Sequence, residues 1–170
     1  MTIDEIFAKI TAHQVEGMMI HSLFADYYEF LGLPSYSQCH TDRFLEESRA
    51  YKHTCRYFIR HYNKLPVESR IDPPNVIPSD WHNYTRQDVD VSTKRSAVKV
   101  GLERWVSWER STKCLYQNMY KELLDLGEIA ACGMVMELIR DVDSELQDAE
   151  QYHLNKKSLD YSIVNIVEEQ

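Results

Sequence analysis

The residues of this chain with chemistry to offer are imidazoles and carboxylates that recur at helical spacing. His53 stands within "RAYKHTCRYFIRHYNKLP", three residues after Ala50 and four before Tyr57, on a side where a core residue is expected. Glu109 follows Leu102, Trp105 and Val106 on an apolar face, where a carboxylate is costly unless it is paired or ligates a cation. Glu145 lines up with Val135, Leu138 and Val142, with Asp141 one turn before it, and His21 lies between Gly17 and Phe24. Imidazole and carboxylate together suit hard-to-borderline divalent cations. Each residue also has a structural reading. His53 can pair with Glu46 on the same face, Glu109 with Lys113 at i,i+4, and His21 with a backbone carbonyl or tyrosine hydroxyl. Glu145 can be a solvated flank among the charges that begin at Arg140.

Helices must position these side chains. Thr2 with Glu5 forms a capping box, Ile3, Phe7, Ile10, Gly17, Ile20, Phe24, Tyr28 and Leu31 recur at helical spacing, and "GLP" at Gly32–Pro34 ends the first helix. The connector "SYSQCH" leads to Thr41 or Asp42, either of which caps a second helix running to about Leu65. Periodicity then vanishes from Pro66 to about Val91, a stretch holding four of the five prolines. Its Ile71, Val76, Ile77 and Trp81 point to a segment lying against the bundle. Ser92 or Thr93 caps a third helix that ends at Gly127, and "EIAACGMVMELIRDVDSELQDAEQYHL" follows at once as a fourth. The tail "SLDYSIVNIVEEQ" suits a short fifth helix or an oligomer contact.

Short, long and short connections make two antiparallel hairpins joined by a crossing segment. A helix of about 24 residues is about 36 Å long, which an extended segment of this length spans easily. Helices two and three are then parallel. The expected fold is an all-α four-helix bundle, a single domain over 1–170 with 66–91 as its crossover. Counting residues from each turn places His13, Glu16 or His21, then His53, Glu109, and Asp141 or Glu145 at one mid-bundle level.

Composition bounds the function. With 44% apolar and 27% charged residues the chain is an ordinary globular one, and 170 residues suit one core. A formal charge of −8 with no basic run argues against nucleic acid as a partner. No apolar stretch approaches a membrane span, and "MTIDEIFAKI" is no secretory signal. Cys39, Cys55, Cys114 and Cys132 show no CxxC spacing and read as buried free thiols of a cytoplasmic protein.

Across roughly residues 2–154 the chain resembles the ferritin-like superfamily. "RFLEESRAYKHTCRYFIRHYNKLP" is similar to its second helix, "PPNVIPSDW" to the crossover segment, and "WERSTKCLYQNMYKELLDLGE" to the third helix with its metal-facing glutamate. The resemblance implies His53 and Glu109 as ligands, with Glu16 the nearest acidic match on the first helix. The chain departs from the Glu-x-x-His pattern of di-iron bundles, because Ala50 stands three before His53 and no histidine stands three after Asp141 or Glu145. The Glu-x-x-His from Glu150 to His153 lies about 9 Å beyond the expected level.

Two functions follow. One is a homo-oligomeric protein binding iron or manganese between its helices, with iron oxidation by dioxygen or storage as the implied activity, and Glu16, His21, His53, Glu109, Asp141 and Glu145 as the ligand candidates. The other is a non-catalytic interaction module that has kept the bundle and lost the site, with eleven tyrosines to serve a partner surface. A hydrolase or transferase has no motif behind it.

Overall fold

The structure is a computed structural model describing residues 1–64, 89–161 and 163. It has four helices, α1 (Ile3–Phe30), α2 (Pro34–Tyr62), α3 (Val91–Asp125) and α4 (Ile129–Ser158). Local chemistry explains their ends. Thr2 and Glu5 make the reciprocal capping box of α1, and Gly32 at φ 70 turns the chain while Leu33 N–H donates to the Tyr28 carbonyl. Pro34 opens α2 at once, where its missing N–H costs nothing. The "SYSQCH" segment is therefore the first turns of α2 and not a connector. Asn63 closes that helix in the left-handed conformation at φ 51. Asp90 caps α3, accepting from Thr93 N–H at 2.7 Å, in place of the expected Ser92 or Thr93. Gly127 at φ 75 makes the α3–α4 turn.

Contacts across the bundle establish direction. Tyr28 reaches Ala97, His13 reaches Thr112, and the N-terminus reaches Glu122, so α1 and α3 are antiparallel. Arg43 meets Glu145 while Tyr62 meets Glu128, so α2 and α4 are antiparallel as well. Each hairpin is also antiparallel, with Gln14 on Thr54 in the first and Arg110 on Glu150 in the second. Helices α2 and α3 are therefore parallel, the arrangement expected from a crossing connection. Most of the expected crossover (65–88) and of the C-terminal tail (162 and 164–170) lies outside the described residues.

The core is split lengthwise. Near the α1–α2 turn, Phe24, Tyr28, Tyr36, Val98, Leu102 and Trp105 pack together. Near the α3–α4 turn, Ile6, Phe7, Phe58, Leu123 and Val135 form a second cluster. Between them α1, α2 and α3 contribute buried polar residues: Gln14, His21, His40, Glu47, Thr54, Glu109 and Thr112. The four cysteines are free, but only Cys132 is fully buried and Cys114 is exposed. Among the described residues no helix is long and apolar enough to cross a membrane.

Candidate functional site: the mid-bundle polar layer

Glu109 is the centre of this layer. It is fully buried, and its Oε1 accepts from Trp105 Nε1–H at 3.0 Å, one helical turn back. Burial and the nearby Glu145 charge push its carboxyl up to about 8, against the Trp105 hydrogen bond and the Arg43 charge. Lys113, its potential surface partner, pairs with Asp143 instead. Across the α1–α3 seam, His21 Nε2 lies 3.9 Å from Glu109 Oε1. Among the described residues neither His21 Nε2 nor Glu109 Oε2 has a hydrogen-bond partner, although both are sealed from solvent. Orphaned polar atoms of this kind carry the full cost of desolvation.

His21 is held from its other side. Its Nδ1 is 2.9 Å from the Nδ1 of His40 on α2. His40 in turn packs among Phe24, Tyr28 and Trp105. Burial lowers both imidazoles, His40 to about 3 and His21 well below its ordinary value, so both rings are neutral near pH 7. Two turns along α2, Glu47 is buried where Gly17 makes room for it. A Cβ on Gly17 would stand 2.9 Å from Glu47 Oε1 and 3.2 Å from the Trp108 ring. Burial, then the charges of Glu109 and Glu145, hold the Glu47 carboxyl well above the usual range, with the Trp108 indole pulling the other way. His13 stacks on Trp108 and donates to Thr112 Oγ1 at 2.8 Å, since that hydroxyl already donates to the Trp108 carbonyl.

The structure brings together only part of the set expected from sequence. His21 and Glu109 meet. His53 does not join them: its side chain is 58% exposed and lies 3.9 Å from Glu137 on α4, not beside Glu46 or Glu109. The buried face of α2 is Tyr36, His40, Glu47, Thr54 and Phe58, which leaves His53 one position, about 100° of rotation, off that face. Asp141 is exposed for the same reason, being next to the buried Val142. Glu16 is half-buried and adjacent to Gly17, which holds the inward position instead. Glu145 is intermediate. It is mostly buried, 3.8 Å from Arg43, and burial pushes its carboxyl up to about 7. Glu145, Asp141 and His53 line a cleft of about 630 Å³ between α2 and α4, with Glu47, Thr112 and Tyr116 deeper in. The Glu150–His153 motif is structural, Glu150 pairing with Arg110 and His153 with the Tyr161 hydroxyl.

His40 and Glu47 are the functional candidates that sequence reasoning missed. The signal was present: Tyr36, His40, Arg43 and Glu47 recur at i, i+4, i+7 and i+11 once Pro34 is taken as the first helical residue.

Four helices in two antiparallel hairpins, with α2 and α3 parallel, have the arrangement of a ferritin-like four-helix-bundle fold. Among solved structures the chain is similar to Rhodobacter capsulatus bacterioferritin, with a TM-score of 0.71 over 92% of this chain and 86% of that one, at 15% identity. That bacterioferritin has a dinuclear site, metal-free in its structure, and heme iron. No protein-family model matches the sequence, and no curated protein matches it.

A dinuclear centre does not fit the described residues of the mid-bundle layer. It requires bridging carboxylates and an imidazole for each metal, whereas Ala50 holds the α2 position three before His53, and α4 faces the layer with Glu145 alone. Among the described residues no three His, Cys, Asp or Glu side chains converge as a ready-made cage. The orphaned pair, His21 Nε2 and Glu109 Oε2, fits a single ion better than two.

Proposed function

We propose that this ferritin-like protein takes one divalent cation, iron or manganese, in its mid-bundle layer. His21 Nε2 and Glu109 would hold it, with Glu47 as the next carboxylate. The observation that carries the reading is the orphaned pair: a nitrogen and a carboxylate oxygen, both sealed from water and neither bonded among the described residues, on facing helices. An ion supplies what both lack. It also offsets the burial that raises their carboxyl pKa values, because a cation beside Glu109 and Glu47 favours their charged forms. The ligand set is oxygen with one nitrogen, which suits Mn(II) and Fe(II). Bound there, the ion contributes charge neutralisation and a tie between α1 and α3. Storage or oxidation of iron at a metal pair is not assigned to these residues.

A second reading is a bundle that serves as an interaction module, the mid-layer being held by protons alone. The outward placement of His53 and Asp141 and the presence of Ala50 favour it.

Thermal melts under anaerobic conditions separate the two. An ion that binds only the folded state stabilises it by about 2.7 kcal/mol at a free concentration 100 times its Kd. The expected result is a rise of the midpoint with Mn(II) and with Fe(II) in wild type and none in Glu109→Gln. A wild-type midpoint indifferent to both metals overturns the cation reading in favour of the interaction module.

A further inference from the structure

The His21–His40 contact has a consequence for which nitrogen of His21 is free. We infer that His40 is the positioning residue of the ion site, because its Nδ1 accepts the His21 Nδ1 proton and so leaves the His21 Nε2 lone pair facing Glu109. The inference rests on the single-cation reading above.

The geometry allows two arrangements and no more. The two Nδ1 atoms are 2.9 Å apart, a hydrogen-bond distance at which one nitrogen must carry the proton and the other must accept it. Both rings are buried, and an imidazole that ligates an ion through Nε2 carries its one proton on Nδ1. If His40 donates, His21 holds its own proton on Nε2 and presents an N–H toward Glu109, 3.9 Å away. That arrangement cannot ligate an ion. If His21 donates, its Nε2 carries a lone pair, and His40 carries its proton on Nε2. Only the second arrangement leaves a ligand. An ion at Glu109 therefore selects it, and His40 is the group that makes it available.

His40 is held in place for this by the aromatic cluster around it. Its ring is fixed by Phe24, Tyr28 and Trp105 at centroid distances of 5.1, 5.4 and 5.7 Å. Residues behind a metal-ligating imidazole fix its tautomer and direction, and their loss typically weakens metal binding about 10–100-fold.

The test combines variants with spectroscopy. His40→Phe keeps a buried aromatic ring but cannot accept the proton, whereas His40→Gln offers a carbonyl oxygen that can. Mn(II) binding is followed by the loss of the free-ion electron paramagnetic resonance signal. The imidazole nitrogens are followed by ¹⁵N NMR, first in the metal-free protein and then with Zn(II) as a diamagnetic probe. Expected are Mn(II) binding weakened about 10–100-fold in His40→Phe and close to wild type in His40→Gln. In Zn(II)-loaded wild type, His21 should be protonated on Nδ1 and ligated through Nε2. Mn(II) binding by His40→Phe as tight as wild type overturns the role of His40 while leaving the cation reading intact. Ligation of His21 through Nδ1 does the same, and needs no variant to fold. Wild type that binds no Mn(II) overturns the cation reading itself, and the role of His40 falls with it.

Discussion

The two seams that close this bundle are built alike in direction and opposite in chemistry. Along α1/α3 the helices approach over glycine. A Cβ on Gly101 would lie 1.6 Å from the Tyr28 hydroxyl, which uses that space to donate to the Ala97 carbonyl. Gly17 opens the neighbouring space for Glu47 and Trp108. Along α2/α4 the contact is made by the tips of long charged side chains. Arg43 reaches Glu145 and Asp148 at 3.8 and 3.9 Å, and the 630 Å³ cleft lies between the helices. The same residue types therefore behave differently on the two sides. His21 on the dry seam is neutral and fixed, while His53 on the wet seam faces solvent beside Glu137. Separation between helices decides whether a titratable side chain is a surface charge or a potential ligand.

The largest expected effect comes from the charge buried on the dry seam. Glu109 has a folded-state pKa raised to about 8 from an ordinary 4.5, so the folded protein holds its proton more tightly than the unfolded chain. Its contribution is then fully present below about pH 4.5 and is lost as pH rises to about 8. The loss amounts to as much as about 5 kcal/mol at 1.36 kcal/mol per unit. Glu145, raised to about 7 beside Arg43, adds a smaller fall in the same direction. Urea titrations of metal-free protein from pH 7 to 8, above the range in which the buried His21 and His40 titrate in the unfolded chain, should show this decline. Glu109→Gln should remove the Glu109 share of it while leaving that of Glu47. A stability that rises over that range contradicts a buried, protonated Glu109.

Closing the glycine gap should cost somewhat less. Gly101→Ala forces the fully buried Tyr28 ring aside, an overpacking change expected to destabilise by about 3 kcal/mol. Tyr28→Phe in the same chain should recover part of that, since the hydroxyl is the nearest atom, and the double-mutant cycle measures how much. Additive costs would mean that the seam is looser than the Tyr28–Gly101 approach indicates.

A smaller effect is expected for Trp105→Phe, which takes away the hydrogen bond that Glu109 Oε1 accepts. The cost should be about 1–3 kcal/mol above pH 8, where the carboxylate is charged, and less at pH 5, where it is neutral. A cost independent of pH would assign the effect to lost packing alone. On the wet seam, His53→Ala should change stability by no more than about 0.5 kcal/mol, as for other exposed positions, and should leave any Mn(II)-dependent rise intact. A loss of that rise in His53→Ala would move the site into the α2/α4 cleft.

How the chain is punctuated was open to reading from local sequence, because a cap or a turn depends on a few neighbouring atoms. Thr2 with Glu5, Gly32 and Gly127 mark helix ends that the structure contains, and the short, long and short spacing implies parallel α2 and α3. Glu109, too, could be recognised as a carboxylate on an apolar stripe. The rotation of α2 could not. Its inward face carries His40, Glu47 and Thr54, so the apolar periodicity that locates a core face elsewhere points here toward Ala50 and Tyr57, and with them toward His53. One residue is about 100° of helix, enough to exchange a ligand for a surface side chain. That choice was made by packing. Gly17 and Gly101 let α1 and α3 close, Glu47 took the space that Gly17 left, and His40 came to rest on His21 from a neighbouring helix, a contact between residues 19 positions apart that no local pattern encodes.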